Sequence, residues 1–286
     1  MTKKNSKGRI FVAYHKPFSM LNEDFIVPIH AGRDCVVKNK DSDSTPPNST
    51  NLLHGLIGDN TGDNISRRNN EFNECSVLYW VWKNIDSSEL KYVGLFQYRR
   101  YLILNGYFDK ARKNSEKEVY KCVHFRKIKD GFSEKIGLTE ENILKILEKY
   151  DCIVPYPTNL AAMKIASPYE DWVRKISGVH IGDLVELEKI MAEIHPELSD
   201  IFGEYLNSPE KRMYQIFIAK PKIMQDYCAW LFDILFKIDR RIDTGLYSIN
   251  GKRTLGYLAE ILYGFYFTYM RNRIKIKECG VAFIEK

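Results

Sequence analysis

Residues 92–101 read YVGLFQYRRY, and the fold is best interpreted outward from this segment. Positions 92–96 form an apolar, β-branched and aromatic run, which is typical of a buried strand. The run passes directly into four larger polar side chains, Gln97, Tyr98, Arg99 and Arg100. Because arginine is rarely buried without a partner, the strand ends either on a solvated rim of a sheet or at a site that holds an anion.

The first 155 residues alternate between strand-like and helix-like patterns. An apolar run at 9–15 predicts the first strand, which ends at Lys16-Pro17. Further strands are predicted at 25–29, 92–101 and 151–155, and helices at 72–84 and 139–150. The alternation favours an α/β fold with a mostly parallel central sheet flanked by helices.

Helical spacing dominates the rest of the chain. Five helices are predicted, at 168–176, 181–194, 197–206, 222–238 and 254–271. One strand at 213–219 interrupts them, and 274–276 with 281–284 is expected to form a terminal ribbon. We expect a single domain over the whole chain, with a nucleotide-binding α/β part at 9–155 and a mainly helical part at 156–286.

The composition narrows the class of protein. The chain has 286 residues, 44% hydrophobic content and a net charge of +6, which suits a nucleotide, a phosphate or an anionic membrane surface without requiring nucleic acid. Six cysteines show neither a CxxC pair nor metal-ligand spacing, which favours free thiols in a reducing cytoplasm. We see neither a secretory signal nor a run near the roughly 18 apolar residues of a membrane span, so the expected location is cytoplasmic.

Two predicted strands end in side chains that can bind an anion. In open α/β sheets, ligands bind beyond the carboxyl ends of the strands. If the strands at 9–15 and 92–101 are parallel neighbours, one crevice collects five side chains, His15, Gln97, Tyr98, Arg99 and Arg100. The arginine fork matches phosphate oxygens. The alternative is a charged rim whose arginines pair with acidic side chains.

Two other acidic segments are candidate ligand sites. The segment GDNTGDNIS at 58–66 contains Asp59, Asn60, Asp63 and Asn64. It is either a chain of surface turns or a site for a divalent metal, ribose hydroxyls or sugar hydroxyls. The sequence 41–43 is formally Asp-x-Asp, but it lies among Lys, Ser and Pro rather than at a strand end, so we assign no metal site there.

A third candidate combines His180 with Asp183 at the start of a predicted helix. Asp183 either favours the helix dipole or takes a proton from an acceptor hydroxyl beside the imidazole. No GxSxG, Gly-rich phosphate loop or HExxH motif appears, which removes the usual signatures of hydrolases, P-loop proteins and zincins.

A series of segments resembles one bacterial family. They are VPIHAG at 27–32, GDNTGDNIS at 58–66, NECSVLYWVWKN at 73–84, YVGLFQYRRYL at 92–102, YDCIVPYP at 150–157, VHIGDL at 179–184, YQIFIAKPKIMQDYCAWLFDILF at 214–236 and LGYLAEILY at 255–263. This ordered series resembles the capsular and exopolysaccharide biosynthesis glycosyltransferases described as domain of unknown function 4422. The resemblance runs from about residue 9 to 272, and WVWKN and YRRY are its most specific parts.

The resemblance implies a GT-A-like fold and a nucleotide-sugar donor, and some members resemble galactofuranosyltransferases. It points to a UDP-linked donor such as UDP-galactofuranose and to a growing capsular, exopolysaccharide or O-antigen glycan as acceptor. We infer from charge and position that Arg99 and Arg100 stand near the donor diphosphate. His15 and the loop at 59–64 would contact uridine, ribose or sugar. A divalent metal, Mn²⁺ or Mg²⁺, is left open as a cofactor.

The expected mechanism is an inverting single displacement, since no nucleophile motif is in place. Asp183, with His180 beside it, is the first candidate for the base, and Glu260 is the second. Two positions depart from the family pattern. Gln97 stands where a histidine usually precedes Tyr-Arg-Arg, and Gln215 stands where asparagine tends to occur. The first departure removes a titratable group, which affects any mechanism that uses the histidine.

The implied acceptor is a lipid-linked oligosaccharide at the inner face of the cytoplasmic membrane. Basic residues outnumber acidic ones from 251 onward, and six apolar residues lie close by, Leu255, Leu258, Ile261, Leu262, Phe265 and Phe267. They indicate either a basic-aromatic surface that rests on anionic lipid or a core helix with solvated charges at its ends.

Two other classes of function fit the same residues. The chain is alternatively a non-catalytic protein that binds polysaccharide, or RNA through its arginines and tyrosines. It is also compatible with a phosphoryl-type transferase of the same pathway, in which the arginines hold a different donor.

Overall fold

The computed structural model describes residues 6–38, 51–112, 121–175 and 178–285. The Asp-x-Asp sequence at 41–43 lies outside these residues. The strands are β1 Gly8–Tyr14, β2 Ile26–His30, β3 Ile57–Gly58, β4 Tyr92–Gln97, β5 Arg100–Leu102, β6 Cys122–Phe125, β7 Cys152–Pro155, β8 Thr158–Asn159, β9 Glu210–Lys211, β10 Phe217–Ala219, β11 Ile276–Cys279 and β12 Val281–Ile284.

The helices of this part of the chain cover both faces of the main sheet. They are α1 Arg33–Lys38, α2 Asn51–His54, α3 Asn69–Phe72, α4 Cys75–Asn84, α5 Tyr107–Arg112, α6 Phe132–Ile136, α7 Glu140–Leu147, α8 Pro168–Lys175, α9 Ile181–Ile194, α10 Pro196–Leu206, α11 Pro221–Asp239 and α12 Thr254–Tyr269. The Thr139 hydroxyl caps α7 by accepting the Asn142 amide, as the sequence predicts.

The main sheet is mixed but mostly parallel at its centre. Its strand order is β11-β7-β10-β4-β1-β2-β3, and β1 is parallel to both β2 and β4. β10 is antiparallel to its two neighbours, β4 and β7. β12 extends the sheet on the side of β5 and β6. The predicted α/β fold with helices on both faces is therefore confirmed.

Alternation along the central strands fills a hydrophobic core on each face of the sheet. Phe11 and Ala13 of β1 pack in the core formed with the C-terminal helices, whereas Ile10, Val12 and Tyr14 pack in the core on the other face. β4 is buried along its whole length. A central strand covered on both faces reads as a continuous apolar run, which is why the strand signal at 92–96 is strong.

Two local predictions differ from the structure. The strand predicted at 92–101 is two strands, because Tyr98 and Arg99 form a tight turn that pairs Gln97 with Arg100. The predicted terminal ribbon is wrong. β11 pairs with β7 and β12 pairs with β5 and β6, so these consecutive strands have different partners. Apolar patterns indicate strands, but they do not indicate which strands pair.

The C-terminal part of the chain completes the sheet, since β10, β11 and β12 all belong to it. The sheet therefore crosses the division proposed at residue 155, and the functional division into two parts stays a prediction. α12 is a core helix, and the six apolar residues considered for a membrane surface are at most 1% exposed. Their burial decides between the two alternatives in favour of a core helix. No helix among the described residues is long and apolar enough to span a bilayer.

The buried Arg212 links the ends of three segments of the fold. Its side chain is 1% exposed; it donates to the Pro155 carbonyl, and its Nη2 lies 2.6 Å from Glu278 Oε1. We expect Arg212→Met to lower the free energy of unfolding by roughly 3 kcal/mol, because it leaves a half-buried carboxylate with a weaker partner. Urea denaturation followed by tryptophan fluorescence measures this change.

The matched control is Arg273→Met, which removes an exposed guanidinium that lies over the Tyr269 ring. It should change the free energy of unfolding by no more than about 0.5 kcal/mol. Equal losses in the two variants would contradict a specific role for the Arg212 ion pair.

Candidate active site

The ends of β1 and β4 meet at the centre of the sheet, as their parallel pairing requires. Ala13 pairs with Gln97, and the residues that follow these two strands converge. The His15 and Tyr98 rings stand edge to face with 4.9 Å between their centroids, and Lys16 Nζ lies 5.7 Å from the Tyr98 ring centroid. The side chains that follow the two strands thus converge at the carboxyl edge of the sheet, and we call this region the crevice.

The turn between β4 and β5 gives the two arginines different hydrogen-bond partners, although both guanidiniums lie over the Phe283 ring of β12. Arg99 Nε donates to the Ile284 carbonyl at 2.7 Å, and its Nη2 donates to the Glu285 carbonyl at 3.2 Å. Its guanidinium also lies over the Phe283 ring. These contacts engage Arg99 with the strand β12. They argue against the expected role of Arg99 at a diphosphate.

Arg100 points into the crevice. Its Nη1 donates to the side-chain carbonyl of Gln97, and its guanidinium lies 5.0 Å from the centroid of the Tyr214 ring. Its Nε is buried and has no hydrogen-bond partner among the described residues. Buried polar atoms are nearly always paired, so this donor is available to a ligand or to a water molecule.

Positive charge is concentrated around Arg100. Partial desolvation, followed by the charges of Lys16, Arg253 and Arg100, lowers the pKa of His15. Arg253 comes from the turn before α12, and its Nε donates to Asn73 Oδ1 at 2.7 Å. This cationic cluster, composed of His15, Lys16, Arg100 and Arg253, can neutralise a multiply charged anion.

Gln97 connects the cationic cluster to a carboxylate that the sequence analysis missed. The Gln97 Nε2 donates both to Glu74 and to the Tyr214 carbonyl, the latter at 2.8 Å. Burial raises the pKa of Glu74, and the charge of Glu260 raises it further against the opposing effect of Arg100. Glu74 precedes α4 within the segment NECSVLYW, whose only sequence signal is a polar start to an apolar helix.

Glu260 is the second carboxylate of the crevice, and it projects from the middle of α12. Its Oε2 accepts the Tyr214 amide at 2.9 Å, and its Oε1 lies 3.6 Å from Lys211 Nζ. Lys211 is 2% exposed and also bonds Asp171 at 2.8 Å. Burial acts to lower the pKa of Lys211, but the facing charges of Glu260 and Asp171 outweigh it and raise the pKa.

Strained backbone surrounds the same crevice. Asn73, Tyr214 and Gln215 have φ values of +51°, +79° and +45°, a region that non-glycine residues rarely adopt. Such conformations cost about 1–3 kcal/mol each and concentrate at functional sites. The Gln215 side chain itself is fully buried and contacts Cys75 and Tyr227, so its departure from the family pattern affects the core beneath the crevice.

Asp59 holds the backbone of the neighbouring turn in place. Its carboxylate is fully buried and accepts the amides of Gly32 and Arg33 and the hydroxyls of Ser66 and Ser76. Four donors account for both oxygens. These contacts argue against the expected role of Asp59 in donor binding.

The rest of the loop at 59–64 behaves as a chain of turns. Asn60 donates to Asp34, Asp63 accepts the Tyr79 hydroxyl, and Asn64 bonds within the loop at Gly62 and Ser66; the loop follows the edge strand β3. Among the described residues, no group of three or more His, Cys, Asp and Glu side chains is arranged to hold a metal ion.

Asp183 and His180 are engaged in packing. Asp183 is 2% exposed, and its two oxygens accept the hydroxyls of Tyr247 and Thr254, each at 2.7 Å. The His180 ring lies 4.2 Å from the Tyr247 ring, and its carbonyl accepts the Trp172 indole N–H. This placement argues against the first choice of base, because Asp183 is almost wholly buried and a hydroxyl already occupies each of its oxygens. The second choice, Glu260, lies in the crevice.

The fold and crevice define a class of protein. The mostly parallel central sheet flanked by helices is a GT-A-like glycosyltransferase fold. The chain belongs to the family described as Domain of unknown function (DUF4422), whose model matches residues 9–272. The family expected from the sequence is therefore confirmed.

A solved structure supports this assignment. The chain is similar to the apo structure of WbbM, a bifunctional glycosyltransferase, with 28% sequence identity and a TM-score of 0.81. The similarity covers 99% of this chain and 46% of that chain, so this chain spans about half the length of WbbM. A comparison with curated proteins finds no match.

An anion bound in the cationic cluster should raise the pKa of His15. The neighbouring cations lower this pKa in the free protein, and a bound anion offsets their charge. Sulfate should therefore bind more tightly at lower pH. The affinity should rise as the pH falls from the pKa of His15 in the sulfate complex, which is the higher value, to the pKa of His15 in the free protein. NMR titration of the histidine resonances with and without sodium sulfate measures the shift.

The exposed His124, which lies 3.5 Å from Glu285, serves as the internal control in the same spectra. Sulfate should change its resonances far less than those of His15. A His15 pKa that sulfate does not raise, or equal responses of the two histidines, would contradict an anion site.

Proposed function

We propose that the protein is a glycosyltransferase that uses a nucleotide-sugar donor. The observation that carries the proposal is Arg100, whose buried Nε lacks a partner among the described residues and faces the crevice beside His15, Lys16 and Arg253. The similarity to a bifunctional glycosyltransferase over nearly the whole chain supports this class of reaction.

The donor we propose is a UDP-sugar, with UDP-galactofuranose as the first to test. Its diphosphate would bind Arg100 and Arg253, and His15 and Tyr98 would line the nucleotide side of the crevice. As the sugar leaves, negative charge grows on the β-phosphate of UDP. The guanidiniums are already oriented by Gln97 and Asn73, so they stabilise that charge with little reorganisation.

The proposed reaction is a single displacement with inversion. The oxygen of an acceptor hydroxyl attacks the anomeric carbon while its proton passes to Glu260. The bond between that carbon and the β-phosphate oxygen breaks, and its electron pair leaves with UDP. Glu260 suits the base because its side chain is 26% exposed and the Tyr214 amide orients one of its oxygens.

Lys211 and Asp171 position this base. Both are buried, and their ion pair places an ammonium 3.6 Å from Glu260. Glu74 faces Gln97, and burial raises its pKa. We assign Glu74 the role of orienting Gln97, and through it Arg100.

The charges in the crevice favour a reaction without a divalent metal. Lys16, Arg100 and Arg253 lie on the side of the crevice that we propose for the diphosphate, and a divalent cation there would meet like charges. We therefore propose that Mn²⁺ and Mg²⁺ are dispensable for donor binding. For the acceptor, we propose a lipid-linked capsular, exopolysaccharide or O-antigen glycan, with the enzyme at the membrane surface.

The first test compares Arg100→Ala with Arg99→Ala in calorimetric titrations with UDP. Arg100→Ala should weaken UDP binding roughly 10- to 100-fold, because hydrogen bonds to charged groups contribute about 1.5–3 kcal/mol. Arg99→Ala should retain the affinity but lower the melting temperature, since its bonds to β12 are lost. Addition of Mn²⁺ should leave the affinity of the wild type unchanged.

Each contrary outcome has a defined meaning. Equal weakening of UDP binding in both variants would remove the distinction between the arginines. Binding that requires Mn²⁺ would refute the metal-independent site. If the wild type binds neither UDP nor UDP-sugars, the proposed donor is wrong, and a non-catalytic glycan-binding role is favoured.

The second test measures sugar transfer in Glu260→Gln and Asp183→Asn. Glu260→Gln should lower kcat by about 10²–10⁴-fold, because glutamine still accepts the Tyr214 amide but takes no proton. Asp183→Asn should keep kcat within about tenfold while lowering thermal stability, since two buried hydroxyls lose an anionic acceptor.

Glu74→Gln serves as a third variant in the same assay. If it abolishes turnover while Glu260→Gln retains it, the base is Glu74. If Asp183→Asn alone abolishes turnover at unchanged stability, the assignment based on the packing of Asp183 is wrong.

A further inference from the structure

Exposed apolar side chains occur on three segments that contact one another, α8, α9 and residues 240–253. Leu246 and Ile249 are 97% and 92% exposed, and Val173, Ile181 and Val185 are 58%, 43% and 36% exposed. These five, which we call the apolar corner, are the majority of the seven large apolar side chains exposed in the described residues. Single exposed aliphatic residues are ordinary, but a cluster of them marks an interaction surface.

Packing against the rest of the fold fixes the conformation of the apolar corner. The segment that carries Leu246 and Ile249 is tied to α9 by Tyr247, whose ring packs on His180 and whose hydroxyl donates to Asp183 at 2.7 Å. At Gly251 there is no space for a side chain, because the Gly178 carbonyl of the turn before α9 lies against it. Packed residues beneath Leu246 and Ile249 therefore hold these two side chains outward.

Positively charged side chains flank Leu246 and Ile249. The sequence from 240 to 253 has four cations, Arg240, Arg241, Lys252 and Arg253, and one acid, Asp243. Arg241 is engaged with Glu186 and Glu193, whereas Arg240 and Lys252 are exposed. Asp243 accepts the Gly245 amide. Leu246 and Ile249 protrude between these cations. This arrangement is complementary to a bilayer interface, in which acyl chains lie beneath anionic headgroups.

We propose that the apolar corner docks the protein on an anionic membrane surface, with Leu246 and Ile249 inserted between lipid headgroups. The corner is continuous with the crevice through Arg253, which lies four residues after Ile249 and contacts Asn73. Docking there places the crevice at the membrane surface, where a lipid-borne acceptor would reach it. The docking itself does not depend on the proposed transfer reaction.

The test is flotation of the full chain, without nucleotide, on phosphatidylcholine vesicles with and without phosphatidylglycerol. The wild type should float only with the anionic vesicles. The double variant Leu246→Ser, Ile249→Ser should bind them roughly tenfold or more weakly, because the inserted apolar groups are lost. The matched control is Ile57→Ser, Ile201→Ser, which changes two exposed isoleucines outside the corner and should bind as the wild type does.

Two accompanying measurements keep the outcomes distinct. UDP affinity should be unchanged in the double variant, which shows that the variant is folded and separates docking from donor binding. Sedimentation velocity tests whether the corner joins two copies of the chain instead. Three outcomes would each overturn the proposal. The wild type does not float, the wild type and the double variant float equally, or the double substitution dissociates a dimer without loss of flotation.

Discussion

The tight turn at Tyr98 and Arg99 is the constraint on which the rest of the site depends. It reverses a fully buried central strand within two residues, so that Gln97 and Arg100 face each other across the turn. Arg99 then bonds the carbonyls of β12 and joins the C-terminal strand to the centre of the sheet. Arg100 is left to face the crevice, and its buried Nε has no hydrogen-bond partner in the part of the chain that the structure describes. One turn thus gives two adjacent guanidiniums different partners, the carbonyl groups of Ile284 and Glu285 for Arg99 and the side chain of Gln97 for Arg100.

Charge balance organises the crevice around that turn. Cations gather where the strands β1 and β4 end, and two carboxylates, Glu74 and Glu260, stand on the side of α4 and α12. Gln97 lies between the two groups and bonds Glu74 and the Tyr214 carbonyl. A neutral amide at this position links the cationic and anionic sides without adding a charge of its own, which a titratable histidine would add at low pH. Strained backbone at Tyr214 holds this arrangement beside β10.

Much of the secondary structure was predictable from local patterns, because burial imposes a period on the sequence. The helix at 181–194 matches α9 at both ends, and the apolar runs at 9–15 and 151–155 correspond to β1 and β7. Strand pairing was not predictable in the same way. β11 and β12 are separated by one residue, yet they join different strands, since pairing is decided by distant segments. The apolar face of α12 was likewise ambiguous, because a core helix and a lipid-facing helix share one pattern.

The sequence by itself determined the α/β alternation, the family and the cationic end of the central strand, because each of these depends on residues that are close together in the chain. Only the tertiary structure decided which charged groups act together. It buried Asp183 beneath two hydroxyls and brought Glu260 to the crevice, although both lie in polar positions of predicted helices. It also placed Glu74 against Gln97. Whether a carboxylate is free to act depends on which donors surround it, and those donors come from segments far apart in the chain.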